Sequence, residues 1–276
     1  AGHSTDTVES YRDSLSMFRR FLTDVPHKSL AQLRCSDCTK DCIYGFREHL
    51  HQGGTKPSTA HVRVTAIRTY LNYAADRDIS VQSVALAISQ IKPLKKLHKE
   101  KEVLTEEALA AILSAPPQTK MGLRDRTILI TLYDSAVRLS ELLRIRIGDM
   151  NLEGEYPYAF IHGKGNKERT VQLTEKSVGH LKEYIRVFHS NPSSDTFLFS
   201  TTIKGNTDKM SFGNVQRILK QYSDIARHTC DNMPLSVHPH MLRRTRATNL
   251  YQDGVALELV STVLGHARIE TTKSHY

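Results

Sequence analysis

The sequence of 276 residues predicts a mainly α-helical protein with a small antiparallel β-sheet, divided into two domains. Three observations predict it. Apolar residues recur at spacings of three and four in two separate blocks of chain. A lysine-rich stretch without steady periodicity lies between the blocks. Within the second block, two short β-type runs flank Gly163-Lys164-Gly165-Asn166-Lys167, which reads as a hairpin.

Taken in order, residues 8–25 carry Val8, Tyr11, Leu15, Phe18 and Leu22 as one helical stripe. A second helix is expected over about residues 39–50, ended by Gly53-Gly54. A third covers about 58–75, with Ile67, Leu71 and Ala74 toward a core and Arg63 and Arg68 elsewhere, and a fourth about 81–91. These make a small all-α domain over residues 1–91. Residues 92–103 read as an exposed basic linker, in which Lys92, Lys95, Lys96, Lys99 and Lys101 surround a single proline. It is either a soluble hinge or a strap across a phosphate backbone. The second domain, 104–276, opens with Thr105-Glu106-Glu107, a helix start in which Thr105 caps and the acids favour the positive end of the helix dipole. A strongly apolar helix follows, with Leu123, Ile128, Leu129, Leu132 and Tyr133. The β-type runs are 158–162 and 168–173, Phe197-Leu198-Phe199 suggests one further short strand, and helices are expected at about 174–188, 211–226, 240–252 and 256–264.

Composition narrows the function classes. No run of about 18 apolar residues exists, so no membrane span is expected. The opening Ala1-Gly2-His3-Ser4-Thr5 lacks the order of a signal peptide, and a cytoplasmic protein is expected. The 38 Lys and Arg against 29 Asp and Glu leave a charge of +9, which favours a polyanionic partner because neutralised phosphates release condensed counterions. Cys35 and Cys38 form a C-x-x-C with Cys42 nearby, but zinc needs a fourth ligand and usually a second close pair, and none is evident. Cys42 falls on the spacing of Ile43, Phe46 and Leu50 and reads as a small core residue.

Four local patterns, in this order, carry the chemistry. They are Ser135-Ala136-Val137-Arg138-Leu139-Ser140-Glu141-Leu142, then Ile161 to Arg169 around the hairpin, then His240-Met241-Leu242-Arg243, then Leu264-Gly265-His266 ten residues before Tyr276. On these residues the chain resembles the tyrosine recombinase (phage integrase) family over essentially its whole length. The resemblance implies a helical core-binding, SAM-like DNA-binding domain and a mixed α/β catalytic domain, forming a C-shaped clamp on DNA. It implies catalytic roles for Arg138, Lys164, His240, Arg243, His266 and Tyr276, with Glu141 behind Arg138. Phosphate contacts are expected from Arg63, Arg68, Lys92, Lys95, Lys96, Lys99, Lys167 and Arg244.

The residue types suit the reaction that the resemblance implies. A tyrosine hydroxyl has a pKa near 10 and is a poor nucleophile unless a neighbour accepts its proton. Attack on a phosphodiester gathers negative charge on oxygens that two guanidiniums can clamp with planar donors. A lysine can protonate the leaving 5′-oxygen. Cations do this work and the phosphotyrosine keeps the bond energy, so neither metal nor other cofactor is expected. The implied partners are double-stranded DNA recombination sites and a homotetramer assembled on them, with accessory DNA-bending proteins left open.

Each residue also has a plainer reading. Arg138 and Glu141 could be a surface ion pair, the hairpin a solvated turn, and His266 a helix-end interaction. Lys167 rivals Lys164, and His238 rivals His240, though His240 alone is followed by x-x-Arg. Three departures stand out against the resemblance: Arg244 where the family often has histidine, Ser-Ala-Val at 135–137 where it often has Thr-Gly and a hydrophobic residue, and a tyrosine one position late, since His275 falls where the family's tyrosine commonly sits. One residue is roughly 100° on a helix. Family members usually continue past the tyrosine, so a truncated C-terminus is also expected. The rival functions are a type IB topoisomerase, a catalytically inactive DNA-binding regulator, and a zinc-dependent factor built on Cys35 and Cys38.

Overall fold

The computed structural model describes residues 5–24, 29–92, 102–163, 168–265, 270 and 272. The chain forms two compact units, Ala1–Lys99 and Glu100–Tyr276, each with its own hydrophobic core. The boundary falls inside the stretch 92–103.

In the first unit, α1 (Thr5–Asp24), α2 (Lys40–Gln52), α3 (Pro57–Ala75) and α4 (Gln82–Ser89) surround a core of Phe18, Phe46, Ile67, Leu71 and Ile88. Phe18 and Phe46 meet edge-on at 5.0 Å, an arrangement that suits the ring quadrupoles. The Thr39 hydroxyl caps α2 by accepting the Cys42 N–H, and Pro57 begins α3, where its missing N–H costs nothing. Short 3₁₀ turns at Leu30–Gln32, Cys35–Asp37 and Ile79–Val81 join the helices. Two expectations are corrected here. Val8 is exposed, because α1 starts earlier than expected and its core residues come from later turns. Cys42 is only half-buried, and the buried cysteine is Cys38, held at the edge of the core by the 3₁₀ turn before α2.

The second unit opens with α5 (Glu106–Ser114), whose cap is Thr105, and α6 (Lys120–Asp134). Ile128, Leu129 and Leu132 of α6 are wholly buried. The four-residue α7 (Leu139–Leu142) leads to an antiparallel sheet of β1 (Met150–Asn151), β2 (Tyr158–His162) and β3 (Glu168–Gln172), in that spatial order. Its register pairs Ile161 with Arg169 and His162 with Glu168. Then come α8 (Glu175–Phe188), a hairpin of β4 (Ser200–Ile203) and β5 (Asn206–Lys209), α9 (Phe212–Ala226), α10 (Pro239–Gln252) and α11 (Leu257–Leu264). The strand expected at 197–199 begins instead at Ser200. Leu198 and Phe199 are both buried, against the alternation of a half-buried strand, and Phe197 forms a lone bridge to Arg146. Among the described residues, no helix is long and apolar enough to cross a membrane.

Candidate active site

The site begins where α6 ends. Ser135 bonds back to Thr131 and stops the helix, and Ala136 then adopts φ +50°, the left-handed conformation that favours glycine. That reversal sends the chain into Val137, which is fully buried, and into Arg138 at the N-cap of α7. Arg138 therefore stands before the short helix, not within it.

Glu141, in the first turn of α7, is 5% exposed and serves as an anchor for two arginines. Its carboxylate accepts the Arg138 backbone N–H at 2.8 Å and the Arg138 guanidinium at 2.9 Å. The same carboxylate accepts two N–H groups of Arg169, at 2.9 and 3.3 Å. Burial alone would raise the Glu141 pKa, but the hydrogen bonds and charge of Arg169 and the bonds from Arg138 outweigh it and hold the carboxyl below its ordinary value. The pair is thus one arm of a junction on a buried carboxylate, with Arg169 as the second arm and Arg138 still partly exposed.

Arg243 arrives from α10, whose N-terminus is capped by the His238 side chain accepting the Met241 N–H at 3.2 Å. Arg243 is 2% exposed. One of its N–H groups donates to the Ala136 carbonyl at 2.6 Å, and another donates to the Leu264 carbonyl at the end of α11. His240, three residues earlier, is exposed at the start of the helix. α11 ends at Gly265, whose φ of +61° closes the helix in the left-handed conformation. A β-carbon on Gly265 would also lie 2.8 Å from Arg169 Nη1, so conformation and packing both require glycine there.

Arg169 is the functional candidate that sequence reasoning missed. Its Nε donates to the Val263 carbonyl at 3.0 Å while its other nitrogens hold Glu141. The signal was present: on β3, Arg169 shares a face with buried Val171, and an inward-facing arginine needs an acid.

Segments 135–142, 169, 243 and 263–265, distant in sequence, thus meet in one charged cluster. Lys164, Lys167, His266 and Tyr276 lie outside the described residues, as do Lys95, Lys96 and Lys99. At the end of β2, the His162 ring nitrogens lie 3.3 Å from Glu168 and 3.3 Å from Asp149. Arg244 is 8% exposed inside the second unit. In the first unit, Arg63 contacts the Met17 sulfur, Arg68 donates to the Ile91 carbonyl beyond α4, and Lys92 is exposed. Among the described residues, no group of three or more His, Cys, Asp or Glu is placed to hold a metal. Burial, aided by Cys42, Cys35 and Asp37, pushes the Cys38 thiol up to about 12.

Comparison with known proteins agrees with this arrangement. The phage integrase family matches residues 102–276, and the phage integrase N-terminal SAM-like domain matches residues 1–78. The chain is 29% identical to tyrosine recombinase XerC of Staphylococcus haemolyticus over 98% of its own length and 85% of the relative's. It is also 29% identical to tyrosine recombinase XerD of Staphylococcus epidermidis, over 99% and 88%. The fold matches XerH site-specific recombinase bound to its difH substrate (TM-score 0.74, 23% identity, 97% of this chain and 76% of the other). It also matches a lambda integrase (75–356) dimer bound to a COC′ core site (TM-score 0.72, 16% identity, 100% and 90%). The chain belongs to the phage integrase family and is a tyrosine recombinase.

Proposed function

We propose that this enzyme cleaves each DNA strand with Tyr276 as nucleophile and rejoins it to a new partner strand. The tyrosine oxygen forms a bond to phosphorus, the bond from phosphorus to the 5′-oxygen breaks, and Lys164 supplies the proton that leaves a 5′-hydroxyl. The tyrosine proton passes to His266 or His240. Arg138 and Arg243 carry the charge that gathers on the non-bridging oxygens. A 5′-hydroxyl from a partner strand then reverses the step, so the phosphodiester bond energy is retained throughout.

The observation that supports this reading is the convergence of the Arg138 turn, Arg243 and the Leu264-Gly265 helix end in one cluster. Arg63, Arg68, Lys92, Lys95, Lys96, Lys99 and Lys167 are proposed to meet the DNA backbone, whereas Arg244, buried within the second unit, is not offered to it. For Arg63 and Arg68 this requires guanidiniums that already contact Met17 and Ile91. The partners are double-stranded recombination sites, on which four copies assemble. The compartment is the cytoplasm.

The test uses DNA nicked next to the cleavage point, which traps the covalent adduct. Tyr276→Phe removes only the hydroxyl and is expected to bind DNA and form no adduct. An adduct that persists in this variant excludes Tyr276.

A further inference from the structure

We propose that Arg169 is a positioning residue for this reaction, joining the carboxylate that grips Arg138 to the helix end that precedes His266. The inference rests on the reading of Arg138 as a phosphate-binding residue. Three contacts carry it. Two Arg169 nitrogens hold Glu141, which itself holds both the main chain and the guanidinium of Arg138. Arg169 Nε holds the Val263 carbonyl. The guanidinium also packs against Gly265, where a β-carbon would lie 2.8 Å from Nη1 and push it from these partners.

The bonding is specific to a guanidinium. One planar fork reaches a carboxylate on α7 and a carbonyl on α11 from a strand that belongs to neither. A lysine ammonium is a single point charge without that fork. In the chain, Arg169 also follows Lys164 by five residues. Arg169 therefore ties two segments of the proposed site into one frame, the Arg138 turn and the α11 end. The Arg243 bonds to Ala136 and Leu264 brace the same turn and helix end from the opposite direction. An ion pair buried in this way is weak evidence for stability, since desolvation offsets much of its attraction, but it fixes geometry. Phosphoryl transfer is sensitive to such geometry, and a displacement of about 1 Å can cost about 100-fold in rate.

A purely structural arginine would also slow the enzyme if its loss unfolded the site. The two cases separate in a double-mutant comparison. A variant that is partly unfolded loses active molecules, and that loss multiplies with any other defect. The part of the Arg169 effect that acts through Arg138 disappears once Arg138 is gone, so the two losses combine to less than their product.

The experiment measures single-turnover adduct formation on nicked DNA for the parent, Arg169→Gln, Arg169→Lys, Arg138→Ala and the Arg138→Ala/Arg169→Gln pair. DNA affinity and melting temperature are measured alongside. The parent is expected to form the adduct, and a parent that forms none defeats the functional reading itself. With the parent active, Arg169→Gln is expected to slow cleavage by about 100-fold with DNA affinity retained. Arg169→Lys should recover only part of the rate, and the double variant should be slower than Arg138→Ala by much less than the factor that Arg169→Gln costs the parent. Parent-like cleavage by Arg169→Gln overturns the proposal, as does a loss that multiplies with that of Arg138→Ala. If neither Arg169 variant folds, the residue is structural and the proposal is likewise overturned.

Discussion

Arg138 keeps 40% of its side chain exposed while Glu141 fixes one of its guanidinium nitrogens, so part of its donor fork remains turned outward. Arg243 differs, being 2% exposed and committed to two main-chain carbonyls. The two arginines of the motif thus divide their work in this conformation, one open toward solvent and one bracing the walls. Arg138→Ala is expected to reduce cleavage by roughly 100- to 1,000-fold, the range for losing one donor to a developing oxyanion. Most DNA affinity should remain, because phosphate contacts spread over many cations supply it. A near-parent cleavage rate in that variant would remove Arg138 from the site. The leaving-group proton gives a second residue-scale prediction. A 5′-bridging sulfur departs without protonation, so such a substrate should restore cleavage to Lys164→Ala and not to Arg138→Ala. Restoration of Lys167→Ala instead assigns the proton to Lys167. Ala136 was legible only as a departure from the family pattern. The structure explains the position: φ there is +50°, which costs a non-glycine residue roughly 1 kcal/mol.

At the scale of elements, α10 carries both His240 and Arg243, and its start depends on a titratable cap. The His238 imidazole accepts the Met241 N–H, so it must be unprotonated at that nitrogen. Partial burial lowers its pKa, and the nearby Arg244 charge lowers it further. The sign follows directly. The unfolded chain binds the proton near the ordinary value of about 6.5, and the folded chain resists it. Stability present above that value is therefore lost as pH falls through it. His238→Asn keeps a cap acceptor that does not titrate. Denaturant midpoints between about pH 5 and 8 should fall on acidification for the parent and flatten for the variant, by up to about 1 kcal/mol, the worth of one cap. Equal slopes for the two proteins would show that His238 does not control this helix start. Most helices were legible from periodicity, and the start of α5 also from its Thr105 cap. The β4–β5 hairpin was not. Its strands are short, polar and largely exposed, so they lack the apolar alternation that marks a half-buried strand.

For the whole molecule, the cationic residues proposed for the site are expected to make metal dispensable, because guanidiniums and an ammonium would supply the charge that a divalent ion otherwise provides. Adduct formation on nicked DNA is expected to continue at an unchanged rate in excess chelator. Activity that disappears with chelator and returns with magnesium contradicts that mechanism. The two-unit organisation has a physical basis in two separate hydrophobic cores, one built on Phe46 and its neighbours and one on α6 and the elements around it. Each block of chain carried enough periodic apolar residues to be recognised alone.

By itself, the sequence determined the elements whose signals are local: the Thr105 cap, helical stripes, the two runs that became β2 and β3, and the order of motifs that marks the family. Tertiary structure alone decided which of those residues touch. Arg169 and Glu141 are 28 positions apart, and Arg243 and Ala136 are 107 apart. No local spacing records such a pairing. It arises because burial leaves an arginine or a carboxylate only the partners that packing brings within hydrogen-bond reach, and packing is a property of the folded chain as a whole.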